Sequence, residues 1–257
     1  MKFLTWNIKT GGGTRLSAIL AVLERERPDL LALQELRDFH RDDARRMHEV
    51  ADALGMTAHL APSAFGQPVA VLARPPLTLT RTKSVRWQLH HAAAVAVVPT
   101  EAGPLKVIST HLNPFSPYRR LREARWLAAR HASARKLVLL AGDLNSLDPG
   151  TDHAAELAAL RGVYRHRHRA PDGTADTRAM AAFGAAGFTD LWTVSGGGDG
   201  RTAPTTQGGG AEFSGMRLDY ILASPPLAAR ARDTRVIRGA ETEFASDHYP
   251  VTTTLDL

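Results

Sequence analysis

Leu137-Val138-Leu139-Leu140-Ala141-Gly142-Asp143-Leu144-Asn145 is an apolar run that stops at a glycine and is followed at once by Asp143 and Asn145. Leu137 to Leu140 carries no polar side chain, and a short run of that kind reads as a buried strand. A charged Asp143 at its end is costly unless paired or bound to a metal. The same device recurs outward along the chain. Asn7 follows Leu4-Thr5-Trp6, Glu35 follows Leu31-Ala32-Leu33-Gln34, and His111 follows Val107-Ile108-Ser109-Thr110. Asp219 lies in Met216-Arg217-Leu218-Asp219-Tyr220-Ile221-Leu222, and Asp247 and His248 lie in Ser246-Asp247-His248-Tyr249-Pro250-Val251. A strand end at the edge of a sheet holds a side chain rigidly and leaves it open to a ligand. Taken singly, each has a structural explanation: Asn7 caps a turn, Asp143 caps a loop, Asp247 pairs with a base. Six such places together, in different strands, outweigh the separate structural explanations.

The rest of the pattern is strands mixed with helices. Strands are expected over Lys2 to Ile8, Leu30 to Leu33, Val69 to Ala73, Leu77 to Val85, Ala92 to Val98 and Leu105 to Leu112. Three more fall near Arg217 to Ala223, Thr234 to Arg238 and Tyr249 to Leu255. Leu16, Ile19, Leu20 and Leu23 recur at helical spacing, a polar helix is expected over Asp42 to Leu54, and Ser116-Pro117 makes a good helix start. There is no sustained alternation of strand and helix, no internal repeat and no linker dividing domains, so residues 1–257 read as a single domain. The clusters Ser195 to Gly200 and Gly208 to Gly210 read as surface turns. Neither has the spacing of a P-loop or a dinucleotide fingerprint.

With 257 residues, 44% hydrophobic and 23% charged, the composition is that of an ordinary globular protein. The chain has no cysteine, which removes disulfides, thiolate metal sites, iron–sulfur clusters and a cysteine nucleophile together. Any metal must therefore be held by oxygen or imidazole. No run approaches the roughly 20 apolar residues of a membrane span, no secretory leader is visible, and a cytoplasmic protein is expected. The net charge of +6 favours polyanionic partners, although an arginine-rich codon bias gives the same charge without one.

The ordered series TWNI, QE, STHL, GDLN, LDYIL and SDHYPV, running from Asn7 to Val251, resembles the endonuclease/exonuclease/phosphatase (DNase I-like) superfamily. The resemblance implies an α+β fold, a four-layer α/β/β/α sandwich of two packed mixed β-sheets flanked by helices. It implies one active site where the strand ends converge. Glu35 would be the principal metal ligand, with Asn7 and Asp247 close to the metal, and oxygen donors of this kind suit Mg²⁺, with Mn²⁺ as a substitute. Asp143 and Asn145 would face the scissile phosphate and the attacking water. His248 would contact the phosphate, oriented by Asp219, and His111 would be a second imidazole across it. Either Asp143 or His248 would be the general base.

Departures from the family pattern narrow the substrate. The DNase I branch places a glutamate behind the histidine at the His111 position, yet Ala61 to Arg74 contains no carboxylate. That leaves His111 as a phosphate contact rather than a tuned general acid. The abasic-endonuclease branch has a tryptophan where this chain has Met216, which disfavours abasic-site repair, and the extra basic signature of inositol 5-phosphatases is not seen. The expected activity is thus a Mg²⁺-dependent nuclease-like phosphodiesterase acting on a phosphate ester, DNA or RNA included, with no obligate protein partner. The alternative is a phosphatase or phosphodiesterase for a small molecule or lipid headgroup. A catalytically silent binding module is a weaker third reading, because every expected position is filled.

Some residues outside the series draw attention. Tyr164-Arg165-His166-Arg167-His168-Arg169 is densely basic and reads either as a phosphate grip or as a solvated loop. His90-His91 would point oppositely on a strand, against a metal pair. Asp42-Asp43 reads as an exposed helix face with i,i+4 pairs. Trp87, Trp126 and Trp192 are candidates for base stacking or for ordinary packing, and Phe65-Gly66 for a turn.

Overall fold

The apolar runs become the strands of two six-stranded sheets in a computed structural model that describes residues 1–257. In chain order the strands are β1 (Lys2–Asn7), β2 (Leu30–Gln34), β3 (Thr57–Ala61), β4 (Val69–Ala73), β5 (Thr80–Val85), β6 (Ala93–Val98), β7 (Leu105–His111), β8 (Leu137–Asp143), β9 (Thr189–Asp190), β10 (Asp219–Ala223), β11 (Ala231–Val236) and β12 (Val251–Leu255). The first sheet runs β11-β12-β1-β2-β4-β3 and the second β5-β6-β7-β8-β10-β9. Each is antiparallel apart from one parallel pair near its centre, β1 with β2 and β7 with β8. Parallel neighbours end at the same edge, so Asn7 lies opposite Gln34 and His111 opposite Asp143. The antiparallel neighbour β10 begins where β8 ends, which sets Asp219 opposite Asp143. The segment Ser246 to His248 arrives at the same edge just before β12.

Alternation along the strands sorts the apolar residues into layers. Phe3, Leu30, Val71, Ala94, Val107, Leu139 and Ile221 fill the space between the two sheets. Leu4, Trp6, Leu31 and Leu33 face the other way, onto helices α1 (Leu16–Glu26) and α2 (Arg45–Leu54). Ile108, Val138, Leu140 and Tyr220 do the same on the second sheet, under α3 (Pro117–His131) and α6 (Arg178–Ala185). Each fully buried Val, Leu or Ile stabilises the fold by about 1.5–3 kcal/mol. Between α3 and α6 come the short helices α4 (Ala154–Ala159) and α5 (Gly162–Arg165), followed later by α7 (Leu191–Ser195), α8 (Pro225–Ala228) and α9 (Thr242–Ala245). The four-layer sandwich is thus the observed architecture. No helix is long and apolar enough to cross a membrane.

Several elements differ from their sequence expectations for identifiable reasons. The strand expected from Leu77 begins only at Thr80, because Pro75-Pro76 supplies no N–H and Leu77 instead closes a turn onto Arg74. The helix expected from Asp42 begins at Arg45. Asp42, Asp43 and Ala44 have φ of 50°, 52° and 59°, and the expected ion pair reduces to an exposed Asp42–Arg45 contact at 3.4 Å. The strand expected at Thr234 to Arg238 lies at Ala231–Val236. Edge strand β3 and the two-residue β9 carry too little apolar patterning to stand out in the sequence.

Two polar features fix the ends of the central strands. Gly142 has φ 141°, and a Cβ there would overlap the carbonyl oxygen of Thr110 on β7. Only glycine lets β8 run that close to its neighbour. Between the sheets, the Gln34 amide donates to the Thr5 hydroxyl and to the Ser109 hydroxyl, each at 3.1 Å. It ties β1, β2 and β7 together directly behind Glu35.

Candidate active site

All eight residues singled out in the strand ends meet at one edge of the sandwich. Asn7 is completely buried and stands between the sheets. Its amide nitrogen donates to Glu35 Oε1 at 3.1 Å and to Asp143 Oδ2 at 3.0 Å, joining the carboxylates of the first and second sheets. Glu35 and Asn145 follow their strands in the left-handed region, with φ of 60° and 49°. Non-glycine residues hold that conformation at a cost, and both are turned back toward the shared edge.

On the second-sheet side the groups are buried imidazoles and carboxylates. His248 Nδ1 lies 2.7 Å from Asp219 Oδ2. Its Nε2 lies 3.7 Å from Asp143 Oδ2, and His111 Nε2 lies 3.4 Å from the same oxygen. Asn145 contributes its amide nitrogen 3.0 Å from His111 Nε2, and its backbone N–H donates to Asp143 Oδ1 at 2.9 Å. Burial alone would lower the His248 pKa, but the Asp219 and Asp143 charges outweigh it and hold the imidazole protonated well above its usual range. Burial pushes the Asp143 carboxyl up, opposed by His248 and His111. His111 moves the other way, because burial outweighs the Asp143 charge and favours neutral imidazole. The scaffold behind these groups is specific. The Trp6 indole donates to the His248 carbonyl at 2.7 Å, the Ser246 hydroxyl to the Asn7 carbonyl at 2.7 Å, and the Thr202 hydroxyl receives the N–H of Asp219 at 3.2 Å.

On the first-sheet side Glu35 is partly exposed, whereas Asn7 and Asp247 are buried. Glu35 Oε2 accepts from the Thr10 backbone at 2.8 Å and from the Gln67 amide at 3.2 Å. The Asp247 carboxylate pairs with Lys9 Nζ at 3.2 Å. Lys9 returns to Asn7 by donating its backbone N–H to Asn7 Oδ1 at 3.0 Å. Asn7 and Glu35 are therefore in direct contact, with Asp247 linked to them through Lys9.

The tightest group of possible metal donors is Asp143, Asp219 and His248, whose atoms lie within 4.8 Å of one another. That trio differs from the expected set of Glu35, Asn7 and Asp247. Two of its members are already bonded to each other, which makes it better suited to moving protons than to enclosing a cation. The donor chemistry of the edge as a whole fits a hard divalent ion: carboxylate and amide oxygens, imidazole, and no sulfur.

Several contributors escaped the sequence reading. Lys9 and Gln67 carry no signal beyond lying near Asn7 and in a proline-flanked loop. The glycine cluster at Gly208 is more than a surface turn, since the Gly208 carbonyl accepts from Lys9 Nζ at 2.7 Å. Phe213, in the same loop, sets its ring edgewise to His248 at 4.9 Å. His90 and His91 sit in a bend before β6 rather than on it, and their rings touch at 4.5 Å instead of pointing apart. The basic run from Tyr164 is neither fully solvated nor free. Arg165 bonds the Leu160 carbonyl, His168 is buried, and the Arg167 carbonyl accepts from buried Arg120. Of Trp87, Trp126 and Trp192, Trp87 alone is exposed.

Two packed mixed sheets that bring carboxylates and a carboxylate-bound imidazole to one edge define a class, the phosphoester hydrolases of DNase I-like fold. Over residues 4–248 the sequence matches the Endonuclease/Exonuclease/phosphatase family, and the chain belongs to that family. The family depends in general on a divalent metal. Solved structures repeat the fold across the whole chain. A family protein from Leptotrichia buccalis C-1013-b is 18% identical with a TM-score of 0.71, and 100% of each chain is covered. A mannosyl-6-phosphatase from Bacteroides thetaiotaomicron VPI-5482 is 14% identical with a TM-score of 0.73, again with 100% of each chain covered. An AP endonuclease from Archaeoglobus fulgidus is 20% identical with a TM-score of 0.72 and the same full coverage. No sequence match was found among curated proteins.

Proposed function

We propose that the protein is a Mg²⁺-dependent, nuclease-like phosphodiesterase in which Asp143 is the general base. The observation that carries this reading is the position of one atom. Asp143 Oδ2 lies 3.0 Å from Asn7, 3.4 Å from His111 and 3.7 Å from His248, so groups from both sheets surround it. Glu35 and Asn7 would hold the metal, with Asp247 beside them once Lys9 yields. The ion, when bound, supplies positive charge against the anionic phosphate. Asp143, made more basic than an ordinary carboxylate by its burial, takes a proton from the attacking water. His248, kept cationic by Asp219, donates through Nε2 to a non-bridging oxygen of the phosphate as charge develops there. His111 and Asn145 contact the phosphate from the other side, His111 as a neutral imidazole. The water oxygen bonds to phosphorus as the ester bond opposite breaks, and the leaving oxygen takes its proton from solvent.

A second reading, a phosphatase for a small phosphate ester, draws support from the Phe213 ring, which narrows the space above His248. One experiment separates the two. Plasmid and linear DNA, RNA, p-nitrophenyl mono- and diesters, nucleotides and sugar phosphates are incubated with Mg²⁺, Mn²⁺ or EDTA, with Asp143→Ala as control. Hydrolysis of nucleic acid that needs the metal and weakens steeply with salt supports the nuclease. Hydrolysis confined to monoesters, with a mild salt response, supports the phosphatase. Undiminished turnover in EDTA or in Asp143→Ala rules out both.

A further inference from the structure

Three of the five exposed large aromatic side chains (Phe65, Trp87, Phe115, Tyr118, Phe244) gather on one side of the proposed reaction centre, the side of His111. Phe65, Trp87 and Phe115 are 61%, 79% and 52% exposed. From His111 a line of rings leads out to them. His91 lies against His111 with centroids 4.3 Å apart, His90 against His91 at 4.5 Å, and Phe65 is stacked on His90 at 4.4 Å with planes 14° apart. Phe115 meets His90 edge-on at 5.7 Å. A groove of about 560 Å³ opens beside them, its lining made in part by Phe65, Trp87 and His90 and by Arg119, Arg122 and Arg125 of α3. Arg167 lies over the Phe115 ring at 5.1 Å and Arg86 over Trp87 at 5.4 Å.

The shelf is built rather than incidental. Buried Glu123 accepts the N–H of His90 at 2.6 Å and the N–H of Asn113 at 2.7 Å, so one carboxylate on α3 clamps the loop that carries Trp87 and His90 to the loop that carries Phe115. Arg120, also buried, donates to the carbonyls of Asn113 and Arg167 and fixes the segment behind Phe115. Exposed aromatic faces are costly in water unless they receive a partner, and the arginines beside them select an anionic one.

We propose that this shelf is a base-binding subsite that seats an unpaired nucleic-acid segment, with bases on the Phe65 and Trp87 rings and the intervening phosphates against Arg119 and Arg122. Every nucleobase has a flat face, so stacking of this kind is tolerant of sequence but needs bases that are not already stacked in a duplex. The phosphate next to the seated base then lies toward His111. This rests on the nuclease reading above and narrows it to strands that are single or locally open.

The test uses a fluorescein-labelled oligo(dT) strand, an abasic strand of equal length and charge, and the dT·dA duplex. Binding is read in EDTA by anisotropy for the full chain and for the Phe65→Ala/Trp87→Ala variant, whose changed side chains are exposed. The wild type is expected to hold oligo(dT) at least about fivefold more tightly than the abasic strand and more tightly than the duplex. Trp87 fluorescence should be quenched by oligo(dT) and unchanged by the abasic strand. The variant should bind oligo(dT) and the abasic strand alike, while hydrolysing the abasic strand in Mg²⁺ within twofold of wild type. Equal affinity for the two strands in the wild type, tighter binding of duplex, or a base preference that survives in the variant would overturn the shelf. A base preference that is lost in the variant, in a protein that cleaves neither strand with Mg²⁺, would sustain the shelf and sink the nuclease reading.

Discussion

The two sheets end at the same edge but deliver different chemistry there. Each presents a central parallel pair flanked by an antiparallel strand, and each brings its polar residues forward at the strand ends. The first sheet delivers Asn7, Glu35 and Asp247, amide and carboxylate groups beside Lys9, of which Glu35 alone is partly exposed. The second delivers His111, Asp143 and Asp219, buried nearly completely and joined by His248. Burial pushes the Asp143 carboxyl up and the His111 imidazole down, while the Asp219 and Asp143 charges hold His248 protonated. The first set joins its oxygens to Lys9, Thr10 and Gln67 instead. Similar strand order thus places the groups we propose to hold the cation on one side and those we propose to handle the proton on the other, with Asn7 bridging the two.

That division can be broken from either side. Asp143→Asn, which keeps the shape of the second-sheet set and removes its base, should lower kcat by at least about 10²-fold with the protein still folded, measured by steady-state hydrolysis and circular dichroism. Glu35→Gln attacks the first-sheet set. It should raise the Mg²⁺ concentration giving half-maximal rate by at least about tenfold, with a much smaller effect on the rate at saturating Mg²⁺. Asp219→Asn should sharpen the contrast through pH. The Asp219 charge holds His248 protonated, so its removal moves the alkaline limb of kcat/KM to lower pH. The sign for stability follows from the same raised value. In the metal-free protein the pair stabilises fully below the unfolded imidazole value of about 6.5, and that contribution fades as pH rises through the folded value. The stability gap between wild type and Asp219→Asn, read by urea melts, should therefore shrink on going alkaline. The smallest effect is structural. Gly142→Ala should cost more than about 1 kcal/mol in a urea melt, because its Cβ would meet the Thr110 carbonyl.

Much of this was legible in the sequence, and for a physical reason. Strands that are buried on both faces are mostly apolar, so a charged residue at their ends stands out, as Asp143 does after Leu137 to Ala141. The order of those ends carried the family resemblance, and with it the sandwich. What could not be read were groups with no such contrast. Lys9 is one lysine among many basic residues, and only the fold brings it to Asp247. Phe213 and Gly208 belong to a loop whose glycines look like any surface turn. His90 and His91 were misplaced by assigning them to a strand, where alternation would separate them; in a bend their rings meet. The start of α2 was misread because three consecutive left-handed residues have no signature in Asp42-Asp43-Ala44.

The most direct test of the division between the sheets is a Mn²⁺ titration followed by electron paramagnetic resonance, in wild type, Glu35→Gln and Asp219→Asn. The account predicts that wild type and Asp219→Asn bind one Mn²⁺ with similar affinity and that Glu35→Gln binds it at least about tenfold more weakly. Binding that is unweakened in Glu35→Gln and lost in Asp219→Asn would place the ion among Asp143, Asp219 and His248, and would contradict the account.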